Sequence, residues 1–278
     1  MMFDERRGML KKIESILKEL IRRYSEHHLQ QVGGSLAYFF LLSLFPLLLF
    51  MNATLGLFDF ALHDILVSIQ PLIPHYVFDI LDNYITSIAS HENTTILSLG
   101  LIGTLYTASI AVNSMIYAIH KAYNQTNHRS WYLTKALSLV FTLLIGLTLF
   151  LSLILPLIGQ GFLEFVNQYF VIPKSIFFIW NVLRWSVTPL LIMTTLALLY
   201  KIIPYTPYKQ SIWPGTIFAT ILWMIASSLL PYYVNGFSRY SVVYGSIGAV
   251  IALLVWLFLT GVIIILGAEL NDILDHLE

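Results

Sequence analysis

The side chains that could hold a metal ion or transfer a proton are scattered through this sequence. None of its eight histidines shows the H-x-H-x-D-H or H-E-x-x-H spacing that would bring metal ligands together. His27 and His28 are adjacent, so they cannot share one face of a helix as residues four apart do. A metal-dependent nuclease needs clustered histidines and carboxylates that hold ions and activate water. The sequence therefore predicts a protein that is not an enzyme and needs no metal or other cofactor.

Other kinds of reactive site are also missing from the sequence. The chain has no cysteine, which removes disulfides, thiolate metal sites and cysteine nucleophiles together. It has no G-x-x-x-x-G-K-[ST] loop, so direct ATP hydrolysis is not expected. The formal net charge is zero, and bulk charge therefore indicates no nucleic-acid partner.

A different set of polar side chains lies within apolar stretches, where polar groups are costly and commonly functional. Four of them form a candidate substrate pathway: Asn52, Asn113, Asn181 and Arg184. We expect Arg184 to face the interior of a helical bundle. There it is either a paired structural strut or an anchor for an anion such as a lipid phosphate, which its forked donors suit.

Composition explains why these residues are expected at membrane depth. Hydrophobic residues make up 58% of the 278 positions and charged residues only 11%, whereas soluble domains carry about 25% charged residues. No charged residue occurs between Arg239 and Glu269, a run longer than the roughly 20 residues that cross a bilayer. The sequence predicts an all-α polytopic protein with six transmembrane helices, at residues 33–58, 95–119, 136–157, 175–200, 212–234 and 240–268.

The remaining segments complete the predicted organisation. Residues 1–32 have apolar residues at helical spacing and seven of the fifteen lysines and arginines. They predict an amphipathic helix that lies either on an anionic membrane surface or in the cytoplasm as a solvated helix. Residues 59–94 contain no Lys or Arg and predict a short outer helical segment. The membrane domain covers residues 33–271, and residues 272–278 form an acidic tail.

The loop charges predict the orientation of the spans. With the N-terminus inside, the inner segments hold twelve lysines and arginines and the outer loops hold only Lys174 and Arg239. Positive residues favour the cytoplasmic side. Both termini are therefore expected to be cytoplasmic.

Prolines and small residues predict how the spans bend and pack. Pro46 and Pro189 lie near the middle of spans, where each acts as a kink or as a gate. Pro46 frees the carbonyl of Leu42, which Ser43 or a neighbouring helix can help to accommodate. Small residues let helix backbones approach closely. Close helix contacts are therefore expected at Gly100, Gly103, Gly245, Gly248 and Ala249.

Several motifs follow one another along the predicted spans. They begin with the run Ser35-Leu-Ala-Tyr38-Phe-Phe-Leu-Leu-Ser43-Leu-Phe-Pro46 and continue with Trp213-Pro-Gly215 and Trp223. They end with Tyr244-Gly-Ser-Ile-Gly248 and Gly267-Ala-Glu269-Leu-Asn271. In this order the motifs resemble the YihY/virulence factor BrkB family of bacterial membrane proteins, and the motif residues are Tyr38, Ser43, Trp223, Tyr244, Glu269 and Asn271.

This resemblance implies a six-span protein of the bacterial cytoplasmic membrane. The family has carried a ribonuclease label and is linked to envelope integrity and to lipid handling. Two functions remain open from the residues themselves: a transporter-like protein that moves or handles lipid or another amphiphile, and a structural scaffold in the membrane. Membrane lipids are the expected partners, together with an envelope protein or a second copy of the chain.

Overall fold

The computed structural model describes residues 2–57, 94–126, 129–169, 174–204, 211–236 and 246–276. These ranges form seven α-helices and contain no β-strand. The predicted all-α class is therefore confirmed. The predicted outer segment at residues 59–94 lies almost entirely outside the described residues, as do Tyr244 and Gly245.

Seven helices account for nearly all of the described residues. In chain order they are α1 Met2–Glu26, α2 Leu29–Leu57, α3 Thr94–Ala122, α4 Trp131–Tyr169, α5 Lys174–Ile202, α6 Trp213–Gly236 and α7 Ser246–His276. Residues 1–38 and 109–278 form one compact unit, and residues 39–108 form a second. The first unit has an apolar core with contributions from Ile116, Phe141, Leu199 and Ile265.

Within the described residues, four helical segments are long and apolar enough to cross a membrane: Ser98–Ala122, Trp131–Ser152, Trp213–Leu230 and Val250–His276. Ser186–Ile202 is a shorter apolar helical segment. Large apolar side chains are exposed along these helices, among them Leu143, Phe150 and Ile221. In water this surface would be unfavourable, whereas hydrocarbon accepts it. The helices therefore suit a bilayer, and the count of six spans stays a prediction.

Helix α4 is longer than the third predicted span. It runs to Tyr169 and includes Pro156, so residues 158–169, which lie between the predicted spans 136–157 and 175–200, are helical. A proline removes the hydrogen bond to the carbonyl four residues earlier, here that of Ser152. The Thr188 hydroxyl of α5 donates to the Ser152 carbonyl at 3.3 Å. This side chain supplies the missing donor, which explains how the helix can continue beyond Pro156.

A second proline is accommodated differently. Helix α2 continues through Pro46, and the Ser43 hydroxyl donates to the Phe40 carbonyl at 2.7 Å. The Ser43 hydroxyl therefore bonds the carbonyl three residues earlier in the chain. It does not bond the Leu42 carbonyl, which Pro46 leaves without its N–H donor. In the same unit, a Cβ added to Gly103 of α3 would lie 3.1 Å from the Pro46 Cβ. The predicted close contact at Gly103 is therefore present.

The close contacts of α7 fall elsewhere than expected. A Cβ added to Gly248 would meet no described atom within 4 Å, so the contact predicted there is not found among the described residues. A Cβ on Gly261 would instead lie 2.8 Å from the Leu36 Cδ1, and one on Gly33 would lie 2.7 Å from the Val262 Cγ2. Gly33 and Gly261 therefore allow α2 and α7 to approach closely.

Two tryptophans join α6 to α7. The Trp223 and Trp256 rings meet edge to face, with centroids 5.9 Å apart. The Trp223 indole donates to the Thr260 hydroxyl and the Trp256 indole donates to the Ser227 hydroxyl, each at 3.2 Å. Because each indole N–H finds a partner on the opposite helix, these rings can be buried between helices without an unpaired donor.

Contacts within the first unit bring several helix ends to one side. Arg129, just before α4, donates to the last carbonyls of α5 at Ile202 and Ile203, 2.8 and 2.9 Å away. Gly215 near the start of α6 contacts Asn271 near the end of α7. Arg23 of α1 reaches Ala122, the last residue of α3. The loops after α3 and α5 and the end of α7 therefore lie on the same side, as six alternating spans require.

This arrangement predicts which positions share a membrane face. Single cysteines in this cysteine-free chain, introduced as Lys121→Cys and Lys201→Cys, should react with an impermeant maleimide from the same side. Asp79→Cys, outside the described residues, should react only from the opposite side. Labelling of all three from one side would contradict the six-span topology.

Candidate functional site

A buried arginine holds together the ends of α1, α3 and α7. Arg23 Nη1 donates to Asp272 Oδ2 at 2.7 Å, to Glu269 Oε2 at 3.1 Å and to the Ala122 carbonyl at 3.3 Å. Its Nε donates to Glu19 Oε1 at 3.0 Å. Arg23 is only 8% exposed, Glu269 is fully buried and Asp272 is 2% exposed. We call Glu19, Arg23, His27, Glu269 and Asp272 the ionic cluster.

Helical spacing explains how this cluster forms. Glu19, Arg23 and His27 are four residues apart, so they lie along one face at the end of α1. Glu269 and Asp272 are three residues apart on α7 and also share a face. His27 Nδ1 lies 2.5 Å from Glu269 Oε1. The residues of α1 and α7 in the cluster are more than 240 positions apart in the sequence, and they meet because α1 packs against α7.

The electrostatics of the cluster keep Arg23 charged. Burial by itself lowers the pKa of Arg23, but the hydrogen bonds to Asp272, Glu19 and Glu269 more than offset it, so the pKa is raised. Hydrogen bonds from Arg22 and Arg23 lower the pKa of Glu19 from 4.5 to about 2. Since the folded pKa is depressed, the pairing of Glu19 stabilises the fold above about pH 4.5. That stabilisation is lost as the pH falls towards 2.

A polar layer adjoins the ionic cluster and ties in α6. The Asn271 Oδ1 accepts a hydrogen bond from the Gly215 backbone N–H at 2.7 Å. This N–H lies in the first turn of α6, where no carbonyl of the same helix can accept it. The Asn271 amide also donates to the Tyr123 hydroxyl at 3.4 Å, and the Asn124 amide donates to Asp272 at 3.3 Å. Asn271 therefore caps α6 from another helix.

Two glycines make this cap possible. A Cβ on Gly215 would collide with the Gly267 carbonyl oxygen and lie 2.6 Å from the Asn271 side chain. A Cβ on Gly267 would collide with the Tyr200 hydroxyl and lie 2.8 Å from the Ala219 Cβ. The Tyr200 hydroxyl donates to the Ile264 carbonyl at 2.6 Å. The backbones of α6 and α7 thus touch at this level, with Tyr200 of α5 packed beside them.

Four buried polar atoms of the first unit lack a hydrogen-bond partner among the described residues. The Asn113 Oδ1, both ring nitrogens of His120 and the Ser152 Oγ are buried and find no hydrogen-bond partner within the described ranges. Asn113 and His120 are seven residues apart, two turns of α3, so they lie on one face. His120 is only 2% exposed. Asn113 is one of the four residues of the predicted substrate pathway, and that pathway stays a prediction.

The other predicted site residues are distributed as follows. Glu269 and Asn271 lie in the ionic cluster and the adjoining polar layer, Ser43 is buried, and Tyr38 is exposed. The helices are described that carry Asn52, Asn181, Arg184, Pro189 and Ala249. Among these five residues, Pro189 is half-buried within α5. The side chains of the other four lie outside the described residues. The inward orientation of Arg184 therefore stays a prediction.

Most of the ionic cluster is not predicted from the sequence. Arg23 and His27 lie in the segment predicted as a surface helix, and Asp272 lies in the predicted acidic tail. A signal was present, because Arg23 falls on the same helical face as the apolar Ile16 and Leu20. A charged residue on the apolar face of an amphipathic helix indicates a buried partner of opposite charge.

We predict that Gly215→Ala strongly destabilises the protein, because its new methyl group overlaps the α7 backbone. Overpacking of this kind costs about 1–3 kcal/mol. The matched control is Gly146→Ala in α4, where an added Cβ meets nothing within 4 Å and the higher helix propensity of alanine favours the helix. Thermal unfolding in detergent should separate the two variants, and equal melting temperatures would contradict the close contact.

We also predict that Arg23→Gln is far more harmful than Arg22→Gln. Removing one partner of a buried ion pair costs about 3–5 kcal/mol because the remaining charges are left uncompensated. Arg22 is exposed and pairs only along α1 with Glu19 and Glu26. Melting temperatures of the two variants test the difference. Adding Glu269→Gln to Arg23→Gln should recover part of the loss, whereas strictly additive losses would show that the pair is not coupled.

Comparisons with known proteins agree on one family. A family model described as Virulence factor BrkB matches residues 20–277. A Bacillus subtilis protein named "Putative ribonuclease-like protein YfkH" is 34% identical over 261 residues, 94% of this chain and 95% of that protein. A "UPF0761 membrane protein" of Alteromonas mediterranea is 25% identical over 262 residues, 90% and 84% of the two chains. One of Cronobacter sakazakii is 27% identical over 273 residues, 92% and 86%. No solved structure matches the chain.

The family match contains the whole ionic cluster except Glu19, since it begins before Arg23 and ends after Asp272. It confirms the resemblance drawn from the motifs in α2, α6 and α7. With its long apolar helices, the protein is a multi-pass membrane protein. This chain belongs to the virulence factor BrkB family.

Proposed function

We propose that this protein moves or handles a lipid or another amphiphile in the bacterial cytoplasmic membrane. The observation that carries the proposal is the row of unpaired polar atoms on α3. The Asn113 Oδ1 and the two nitrogens of His120 are buried on one face of an apolar helix without a described partner. In hydrocarbon an unsatisfied polar group costs several kcal/mol. Water or the polar part of a substrate would remove that cost.

The neighbouring polar residues of α3 behave differently from this pair. The hydroxyls of Thr104, Thr107 and Ser114 donate to carbonyls of their own helix. They are satisfied locally and need no ligand. Asn113 and His120 are thus distinguished from ordinary polar residues that serve helix packing, and they suit a path on which a polar head group passes through an apolar surrounding.

A ribonuclease function has less support. One relative carries a ribonuclease-like name. In the part of the chain that the structure describes, no group of three or more His, Asp or Glu side chains is placed to hold a metal ion. The buried carboxylates Glu269 and Asp272 are both paired with Arg23, and Glu269 also contacts His27, so they are poorly placed to hold a catalytic cation. We therefore favour a role without catalysis.

A structural scaffold is the second candidate, and the ionic cluster favours it. A buried charge network with close glycine contacts fixes one arrangement of helix ends and gives no route for a substrate. Under this alternative the protein holds an envelope protein or a second copy of itself. It would translocate nothing, and Asn113 and His120 would be satisfied by isolated buried waters.

We predict that vesicles containing the purified protein translocate a fluorescent phospholipid faster than empty vesicles, and that Asn113→Leu slows this rate several-fold. Leucine has nearly the shape of asparagine. Because it removes an unsatisfied buried oxygen, it should leave the melting temperature unchanged or raise it. Ser114→Ala is the control, since that hydroxyl bonds only the Ile110 carbonyl of its own helix, and it should translocate like the parent.

The outcomes separate the two candidate functions. Equal rates for parent protein and empty vesicles would contradict transport and favour the scaffold. Equal rates for Asn113→Leu and the parent, with clear transport in both, would show that the substrate follows another path.

A further inference from the structure

The structure leaves a row of large apolar side chains uncovered on α1. Ile13, Leu17 and Ile21 are 47%, 54% and 72% exposed. They are four residues apart and therefore form one stripe along the helix. On the membrane-crossing helices such exposure is expected. Helix α1 is different, because its charged residues exclude it from the hydrocarbon core.

Helix α1 has three distinct faces, which follow from a turn of about 100° per residue. Ile16, Leu20 and Arg23 lie on the face that packs against the bundle, where Leu20 and Arg23 are buried. The apolar stripe lies about a quarter turn to one side of that face. Exposed polar residues occupy a third sector, on the side turned away from both: Lys11, Glu14, Ser15, Lys18, Arg22, Ser25 and Glu26.

This order of faces fits a helix that packs on the bundle and also rests on a lipid surface. A helix in that position must present one apolar face to the protein and another to the lipid, and its polar face must point away from both. A solvated helix packed on the same bundle would have no reason to carry the second apolar face. The stripe also ends near the start of α2, which carries the chain into the apolar region after only His27 and His28.

Exposed aromatic residues lie on other helices at the same end of the bundle as α1. Trp131 and Tyr132 at the start of α4 are exposed, and so is Trp213 at the start of α6. These helix starts lie on the side of the bundle where Arg23 docks, as the Arg129 and Gly215 contacts establish. Tryptophan and tyrosine prefer the boundary between lipid and water. The level at which α1 docks therefore corresponds to a membrane interface.

Charge indicates the kind of lipid. Residues 1–26 carry seven Lys or Arg and five Asp or Glu. Several of these charges are used within the protein: Lys18 pairs with Glu14, and Arg22 pairs with Glu19 and Glu26. Lys11 and Lys12 form no ion pair with a described side chain and remain available. A basic amphipathic helix of this type is attracted to anionic lipids.

We propose that α1 is a membrane-surface anchor whose Ile13, Leu17 and Ile21 stripe inserts into the headgroup layer of an anionic bilayer while Arg23 fixes the helix to α7. The anchor places the ionic cluster directly below the lipid headgroups. It does not depend on whether the protein moves lipid.

The absence of cysteine makes a direct test possible. Leu17→Cys and Ile21→Cys carry an environment-sensitive dye on the stripe, and Lys18→Cys and Arg22→Cys carry it on the polar face as matched controls. The full-length protein is reconstituted in vesicles of phosphatidylglycerol and phosphatidylcholine. Dyes at positions 17 and 21 should be quenched by a lipid-bound nitroxide and protected several-fold from aqueous iodide. Dyes at positions 18 and 22 should show the opposite behaviour.

The vesicle composition tests the charge preference. In pure phosphatidylcholine the protection of positions 17 and 21 should weaken, because the attraction to the Lys side chains is lost. Equal iodide quenching at all four positions in both vesicles would overturn the proposal in favour of a solvated helix. Protection that persists in detergent, with cross-linking between copies at position 17, would overturn it in favour of a second copy of the chain.

Discussion

The docking of α1 depends on the cost of burying charge. A carboxylate or a guanidinium taken out of water loses several kcal/mol of hydration, which only good pairing can repay. Glu269 and Asp272 lie near the end of the most apolar of the described helices and are almost fully buried. Arg23 meets both carboxylates and the free carbonyl of Ala122. Without Arg23, these two carboxylates would lose the guanidinium that pairs with both of them.

The polar layer extends this constraint to α6. Asn271 lies between Glu269 and Asp272 in sequence, and its side chain points to the Gly215 N–H. The hydrogen bond requires that α6 and α7 approach until their backbones touch, which the glycines at 215 and 267 permit. One helical turn of α7 thus carries two groups for Arg23 and one for α6. A displacement of α1 that moved Glu269 would also shift Asn271 and disturb its hydrogen bond to the first turn of α6.

The sequence predicts well what depends on local composition. Long apolar runs correctly predicted an all-α protein with long apolar helices, because helices that cross a membrane need continuous apolar stretches. The sequence did not predict structural features that depend on contacts with a residue far away in the chain. The third predicted span ends at residue 157, next to Pro156, yet helix α4 continues because the Thr188 hydroxyl of another helix bonds the carbonyl that Pro156 leaves without a donor. Arg23 could not be distinguished from the other six Lys and Arg residues of the predicted amphipathic helix, because its partners on α7 are about 250 residues away in the sequence.

The glycines show the same limit. Gly248 and Gly261 are both small residues in α7, and nothing in their immediate neighbours distinguishes them. Of the two, only Gly261 has described atoms of another helix within 4 Å of an added Cβ, namely those of Leu36 and Gly33 in α2. A small residue permits a close contact but does not create one. The contact also needs a partner helix whose side chains are small at the same level, and that pairing is a property of two distant segments.

The contrast between the two polar regions bears on function. At the helix ends, every member of the ionic cluster has partners at hydrogen-bonding distance, which favours one fixed arrangement. Farther along α3, the Asn113 oxygen lacks a described partner. A bundle selected only for rigidity gains nothing from a buried oxygen without a partner, since an apolar residue of the same shape would be at least as stable. In the function proposed above, the helix ends are held fixed while the interior accepts the polar part of a substrate at Asn113.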